Sequence, residues 1–506
     1  MNENLYALFE SRFPADRGKP LLCLDSGAEL SYADADAGAA RYASLLAGLG
    51  LKPGDRVAVQ VEKSPEALLL YLACLRAGLA YLPLNSAYQE GEIGYFLENA
   101  EPGAVVAQPR SMAWLKPLAA KLGIRHVFSM DERGAGTLAE AARGASSRFE
   151  TVPRAGDDLA AILYTSGTTG RSKGAMLTHR NLASNALVLH KAWDFKPDDV
   201  LIHMLPLFHV HGLFVACHCV LVNGSAMRFH GKFDARRALA EFATSTVFMG
   251  VPTFYTRLLA EPGLDRKACS NMRLFVSGSA PLLAETHVEF EERTGQRILE
   301  RYGMTETGML TSNPLAGDRR AGSVGPALPG TEVRIHDDQD AALPPGAIGH
   351  VQVKGANVFQ GYWRMPEKNR EEFTPDGFFR TGDMGSLSED GYLTIVGRSK
   401  DLIITGGYNV YPKEIELALD ELPGVAESAV VGVPHPDFGE AVIAVVVARK
   451  GAAAPTEAQV VAAMKARLAN FKVPKRVHVV DELPRNAMGK VQKNVLRDRF
   501  RDPGRP

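Results

Sequence analysis

The feature that most constrains this chain is the decapeptide Thr165-Ser166-Gly167-Thr168-Thr169-Gly170-Arg171-Ser172-Lys173-Gly174, set between the apolar run 159–164 and the helical pattern 182–189. That setting predicts a strand, a loop and a helix. Five hydroxyl residues, three glycines and two cations in ten positions suit a loop that grips phosphate. Glycine lets backbone N–H groups turn inward, hydroxyls add donors, and Arg171 and Lys173 add charge. A solvated linker of the same composition would not interrupt a buried strand and a helix start so abruptly. The loop is not of the G-x-x-x-x-G-K-[ST] type. Gly174 follows Lys173, so the hydroxyl that would hold magnesium there is missing, and the loop is far from a domain's first strand. Ordinary phosphoryl transfer is disfavoured.

With 506 residues the chain is too long for one core, and roughly two to four domains are expected. A net charge of −1 without a basic block points away from nucleic acid and anionic membranes, so any nucleotide binding is local. The first residues lack the pattern of a secretory signal, and the longest apolar run, 213–222, is too short to span a bilayer. Five irregularly spaced cysteines fit reduced thiols in a cytoplasmic protein. Cys217-His218-Cys219, near His209 and His211, reads as core packing rather than a metal centre.

Along the chain, apolar runs alternate with helical patterns. Ser64-Pro65 reads as an N-cap with proline at the first helical position, opening a buried helix over 67–77. Buried strands are expected at 56–61, 81–85, 199–204, 226–229, 247–251 and 274–276. The alternation predicts layered α/β subdomains with parallel sheets. Between 320 and 398, short strands at 331–336, 349–354 and 391–396 indicate a small β-rich subdomain. From residue 400 a compact α+β domain follows, with helices at 412–420, 457–468 and 491–500 and strands at 428–433, 441–448 and 476–480. The expected division is a large domain of 1–399 and a small mobile one of 400–506.

The loop and five further segments, in the same order, resemble the adenylate-forming superfamily of acyl-CoA synthetases, luciferases and peptide-synthetase adenylation domains. The further segments begin with Glu300-Arg301-Tyr302-Gly303-Met304-Thr305-Glu306. They continue with Thr381-Gly382-Asp383, Gly397-Arg398-Ser399-Lys400-Asp401, Gly406-Gly407-Tyr408 and Gly489-Lys490. The resemblance implies a two-step reaction. A carboxylate attacks the α-phosphate of MgATP to give an acyl-adenylate and pyrophosphate, and a thiol, here coenzyme A, then displaces AMP. It assigns ATP to Thr165, Ser166, Gly167, Thr168, Thr169, Gly170, Lys173, Ser279, Ala280, Glu300, Arg301, Tyr302, Gly303, Met304, Thr305, Asp383 and Arg398. Within that set Tyr302 meets adenine, Thr305 the α-phosphate, and Asp383 and Arg398 the ribose. Glu306 and Thr168 hold Mg²⁺, Lys490 bridges the attacking carboxylate and ATP, Lys400 is the hinge, and Gly406, Gly407 and Tyr408 line the thiol tunnel. An aromatic plane, a neutral donor and a hard oxygen ligand are what an ATP–magnesium complex needs at its reacting end.

For the acid, Pro206-Leu207-Phe208-His209-Val210-His211-Gly212 resembles the segment that gates the acyl pocket, with His209 beside the reacting carboxylate. Val251-Pro252-Thr253-Phe254-Tyr255-Thr256-Arg257 and Val276-Ser277-Gly278-Ser279-Ala280-Pro281-Leu282 follow the malonyl-CoA synthetase branch most nearly. By that resemblance Arg257 pairs with the distal carboxylate of a short diacid, Ser279 lines the site, and Val210 and Met309 limit a substituent at C2. A buried arginine in an acyl pocket is uncompensated unless the substrate brings an anion. Malonate, and methylmalonate next, are the expected acids; another short-chain or aryl acid is the alternative. A lysine acetyltransferase acting on Lys490 is a partner implied by resemblance alone. A carrier-protein-loading enzyme and an ADP-forming kinase are the competing readings, separated by CoA consumption and by AMP release.

Overall fold

The computed structural model describes residues 2–165, 172–406, 408–486 and 489–501. The chain forms two units: Met1–Glu332 with Lys354–Gly377, and Val333–Val353 with Phe378–Pro506. Position 399 lies inside the second unit, where the helix Pro412–Asp420 packs on the strand Leu393–Arg398.

Two sheets organise the first unit. One has eight strands, with Leu274–Ser277, Val247–Gly250, Val200–His203, Ala226–Phe229 and Pro20–Leu24 running parallel through its middle. Antiparallel pairs close its edges: Ile298–Met304 with Gly308–Ser312, and Pro20–Leu24 with Glu29–Ser31. The other has six strands, with His126–Ser129, Ala104–Ala107, Arg56–Gln60, Ala80–Pro83 and Leu159–Thr165 parallel and Lys173–Thr178 antiparallel at the edge. The central strands are buried along most of their length, which is why they read as unbroken apolar runs and not as alternation.

The helix Pro65–Arg76 begins as its sequence predicts, with Ser64 Oγ accepting the Ala67 N–H at 3.2 Å. The decapeptide does not lead straight into a helix. Residues Lys173–Thr178 return along Leu159–Thr165 as an antiparallel strand, and only then does the helix His179–Ala192 start, capped by Thr178. The two antiparallel strands form a hairpin neck in which Thr165 pairs with Lys173. Residues 166–171 lie outside the described residues.

The second unit carries a sheet ordered Thr331–His336, Gly349–Gly355, Phe379–Leu387, Leu393–Arg398 and a five-stranded sheet around Val425–His435 and Gly439–Ala448. Arg476–Val480 joins the latter in parallel. Helices Pro412–Asp420 and Glu457–Arg467 cover one face, burying Ile415, Leu419, Val460 and Met464 against Val430, Val442, Ala444 and Val446. Cys217 and Cys219 are buried, and His218 stacks on Tyr71, whose hydroxyl lies 2.7 Å from His218 Nε2. Among the described residues no helix is long and apolar enough to cross a membrane.

Candidate active site

The strand Ile298–Met304 brings the first set of groups together. Its continuation, Thr305–Thr307, is a tight turn into Gly308–Ser312, with Thr307 N–H donating to Met304 O at 3.2 Å. Gly303 is obligatory here, since a Cβ would lie 2.1 Å from Gly308 O. The turn drops Glu306, 5% exposed, beneath the hairpin neck. Its Oε1 accepts the Tyr362 hydroxyl at 2.9 Å and the Thr165 hydroxyl at 3.4 Å. Lys173 sits 3.3 Å from Glu372 Oε1 and 4.2 Å above the Tyr362 ring. Tyr362 therefore touches both the loop lysine and the acidic residue expected to serve magnesium. Nothing in the sequence around Gly361-Tyr362 marked it.

The side where the acyl group is expected is built from two loops at the ends of parallel strands and from the strand Ile298–Met304. Beyond Val200–His203, the His211 N–H donates to His209 Nδ1 at 3.1 Å, so neutral His209 carries its proton on Nε2. The chain then enters a π-helix, His211–Cys217, a form that recurs at functional sites. Gly212 permits it: a Cβ there would fall 2.0 Å from Pro206 O. Beyond Leu274–Ser277, Ser279 holds φ +72°, a strained conformation for a residue with a side chain. Ser279 Oγ lies 3.3 Å from His211 Nδ1, and buried His211 Nε2 has no hydrogen-bond partner among the described residues. Burial, Arg301 and His209 in that order hold the His211 pKa well below the ordinary value, so His211 is neutral.

Arg301 closes this wall. It is 3% exposed, and its buried Nε and Nη2 have no hydrogen-bond partner among the described residues. Gly278 makes room for it, because a Cβ at 278 would lie 2.4 Å from Arg301 Cζ. Burial lowers the Arg301 pKa to about 10, which leaves the guanidinium charged at neutral pH. Arg257, the arginine expected to be buried, is exposed and has no ion-pair or hydrogen-bond partner among the described residues. Helix Pro252–Leu259 turns Tyr255, Leu258 and Leu259 to the core, and residue 257 falls on the other face. The resemblance assigns Arg301 to ATP, and the run Ile-Leu-Glu-Arg-Tyr-Gly-Met does not show that this arginine is the buried one, beside His211.

Val210 and Thr305 line one small cavity with Asn185, Phe214, Gly308 and Asn357. Asn185 holds the neighbouring strand by accepting the Met309 N–H at 3.0 Å and donating to Met309 O at 2.8 Å. Met309 is buried, with its Cε 2.8 Å from where a Gly303 Cβ would be. Glu300 Oε1 accepts the Leu282 N–H at 3.1 Å and so ties the strand to the loop after Ser279-Ala280.

In the second unit Asp383 and Arg398 face each other across adjacent antiparallel strands. Their side chains pair at 2.8 Å, and Asp383 is nearly fully buried. Lys400 follows in the short 3-10 turn Ser399–Asp401. Lys490 is held in a loop closed by Asn486, whose Oδ1 accepts the Lys490 N–H at 3.0 Å and whose N–H donates to Lys490 O at 2.9 Å. Arg485 pairs with Glu427 and donates to Gly489 O. Lys490 is exposed as a residue, while burial of its amine first, and the Arg398 charge next, push its pKa down to about 8. Gly406 adopts φ +57° between strands Ile403–Thr405 and Tyr408–Val410, and exposed Tyr408 stacks on Phe471 at 4.5 Å. Ser166, Gly167, Thr168, Thr169, Gly170 and Gly407 lie outside the described residues.

Residues 9–363 match the AMP-binding enzyme family, and residues 414–490 match the AMP-binding enzyme C-terminal domain. The chain is 37% identical to a malonate–CoA ligase of Arabidopsis thaliana, over 89% of this chain and 79% of that protein. It is 35% identical to a feruloyl-CoA synthase of an Amycolatopsis species, over 94% of each. It superposes on the crystal structure of ATP-bound MatB from Rhodopseudomonas palustris with a TM-score of 0.97 at 56% identity, covering 100% of both chains.

Proposed function

The chain belongs to the AMP-binding enzyme family, and on that premise we propose that it is an ATP-dependent malonate–CoA ligase, joining malonate to coenzyme A with release of AMP and pyrophosphate. The observation that carries the choice of acid is Arg301: a buried guanidinium with two nitrogens that no described residue meets, beside His211 and Ser279. A monoacid would leave that charge uncompensated, whereas a second carboxylate satisfies it with charge-assisted hydrogen bonds. The match to a malonate–CoA ligase supports the same choice. Arg257, exposed on the neighbouring helix, is the second arginine able to attract a diacid. Val210 and Met309 bound the space for a C2 substituent, so methylmalonate is the next acid in order.

No side chain becomes a covalent nucleophile; positioning and charge neutralisation do the work. His209 Nε2–H meets the reacting carboxylate, Thr305 the α-phosphate, and Lys490 the negative charge gathering between them. Thr165, Ser166, Gly167, Thr168, Thr169, Gly170 and Lys173 cradle the phosphates, Tyr302 meets adenine, and the Asp383–Arg398 pair receives the ribose. Glu306 fits a hard cation, since its carboxylate is buried and oriented by two hydroxyls. With Thr168 it would hold the Mg²⁺ that accompanies ATP, which when bound offsets phosphate charge. Residues 400–506 act as the mobile part, with Lys400 as pivot, and Gly406, Gly407 and Tyr408 then line the thiol's path. Acetylation of Lys490 by an acetyltransferase would remove the charge needed for adenylation alone.

The test is a panel of malonate, methylmalonate, acetate, butyrate and a coumarate-type acid with ATP, Mg²⁺ and CoA, with AMP and thioester both quantified. Malonate turnover well above every monoacid is expected. Efficient monoacid turnover with weak malonate turnover refutes the diacid reading, and ADP as the only nucleotide product refutes adenylation.

A further inference from the structure

Lys63 plays no part in the chemistry above, yet it is the most unusual amine in the first unit. It follows the strand Arg56–Gln60 and reaches across to the other sheet. There its Nζ lies 2.6 Å from His203 Nδ1, 2.9 Å from His203 O and 4.3 Å above the Phe229 ring. No carboxylate stands in ion-pair range among the described residues. His203 is 1% exposed, and its pKa is held well below the ordinary value by burial first and by Lys63 next, so it faces Lys63 as a neutral acceptor. The other imidazole nitrogen, Nε2, then donates to Gly212 O at 2.8 Å, at the start of the π-helix that carries His211. Lys63 also borders a cleft lined by Val61, Tyr81, Leu84, Leu207 and Phe208. That cleft lies at the C-terminal ends of parallel strands of both sheets, where α/β folds admit ligands.

We propose that Lys63 is an acylation site, its amine taking the acyl group from a small acyl thioester that enters this cleft. The Nζ lone pair attacks the thioester carbonyl, a C–N bond forms and the C–S bond breaks. The proton lost from Nζ ends on the departing thiolate, giving an amide and free thiol. That such thioesters arise at this enzyme rests on the ligase reading; the reactivity of Lys63 does not. An amine without a carboxylate partner, set against a neutral imidazole in an apolar cleft, is available uncharged near neutral pH, and burial lowers its pKa to about 7. The groups facing it are Asp25, bound to His230 at 2.5 Å, and the Cys217 thiol, both of which oppose that lowering, together with His203. Glu62 borders the same cleft, 3.3 Å from Gln108 Nε2. Acylation withdraws the free amine from Phe229 and from His203, and so reaches the Gly212 carbonyl beside the acyl pocket.

The experiment incubates the full-length protein with acetyl-CoA or malonyl-CoA, without ATP, from pH 6 to 9, and follows each lysine by peptide mass mapping. Lys63 is expected to be acylated at least about tenfold faster than exposed Lys121 and Lys196 at pH 7.5, because most of its amine is uncharged where theirs is not. Its rate should level off above about pH 7 while theirs keep rising. Labelling of Lys63 no faster than at Lys121 and Lys196, or a rate still climbing at pH 9, overturns the proposal. Because thioester is supplied, the result stands apart from whether the chain makes one, which AMP release measures separately. Lys63→Arg, checked for an unchanged melting temperature, should abolish the fast site.

Discussion

The hairpin neck and the acyl wall meet the strand Ile298–Met304 and its turn from two sides, and they treat polar groups in opposite ways. At the neck the described charges have protein partners: Lys173 has Glu372 and the Tyr362 ring, and Glu306 has Tyr362 and Thr165. At the wall, two Arg301 nitrogens and one His211 nitrogen are buried without a partner among the described residues. On the proposed function, the difference separates the parts of the site that would serve any acid from the part that would select one. Groups proposed to act on ATP in every turnover are oriented in advance. Those that choose the acid leave a polar demand that only a suitable ligand meets, which is how a pocket rejects analogues lacking a group.

The contrast breaks most visibly at the residue common to all acids. Lys490→Ala should cut adenylation by about 10²–10³, measured as pyrophosphate release, while thioester formation from supplied acyl-adenylate persists. Equal loss of both half-reactions would remove Lys490 from the first step alone.

Arg301→Met tests the wall. It should lower malonate kcat/KM by about 10²-fold or more, with the KM for ATP nearly unchanged. Arg257→Ala should cost less, and the reverse ranking moves the distal-carboxylate contact to Arg257.

Tyr362→Phe tests the neck. Loss of one hydroxyl on Glu306 should cost about tenfold, as one hydrogen bond to a charged group does. The defect should appear as a higher Mg²⁺ requirement shared by every acid; a defect confined to malonate would erase the distinction between neck and wall.

The pH profile follows from Lys490. With its pKa lowered to about 8, the ammonium is present below that pH, so adenylation should decline as pH rises through about 8. Lys490→Arg, with a charge that persists to high pH, should flatten the decline whatever its rate. Smallest of all, Val210→Gly with Met309→Ala should improve turnover of C2-alkyl malonates by about tenfold, leaving malonate itself little changed.

Much of this was legible in residue order. The parallel strands could be read because strands buried on both faces are continuous apolar runs, and the helix starts because Ser64-Pro65 and Tyr411-Pro412 are local signals. The fifteen-residue spacing of Asp383 and Arg398 turned out to be a cross-strand pair, a geometry that one hairpin fixes by itself. The return strand Lys173–Thr178 was missed because Lys-Gly-Ala-Met-Leu-Thr lacks β-branched alternation and gains its strand form by pairing with Leu159–Thr165.

What the sequence determined alone was therefore the chemistry class: six short segments in order carry the groups that ATP and an activated acid require, and each is local. What only the tertiary structure decided was which arginine is desolvated, which tyrosine orients Glu306, and which lysine lies against His203. Those properties depend on burial between elements distant in sequence, as where Lys63 meets His203 and Tyr362 meets Glu306. Desolvation is a sum over everything packed around a group, and no single stretch of chain contains that sum.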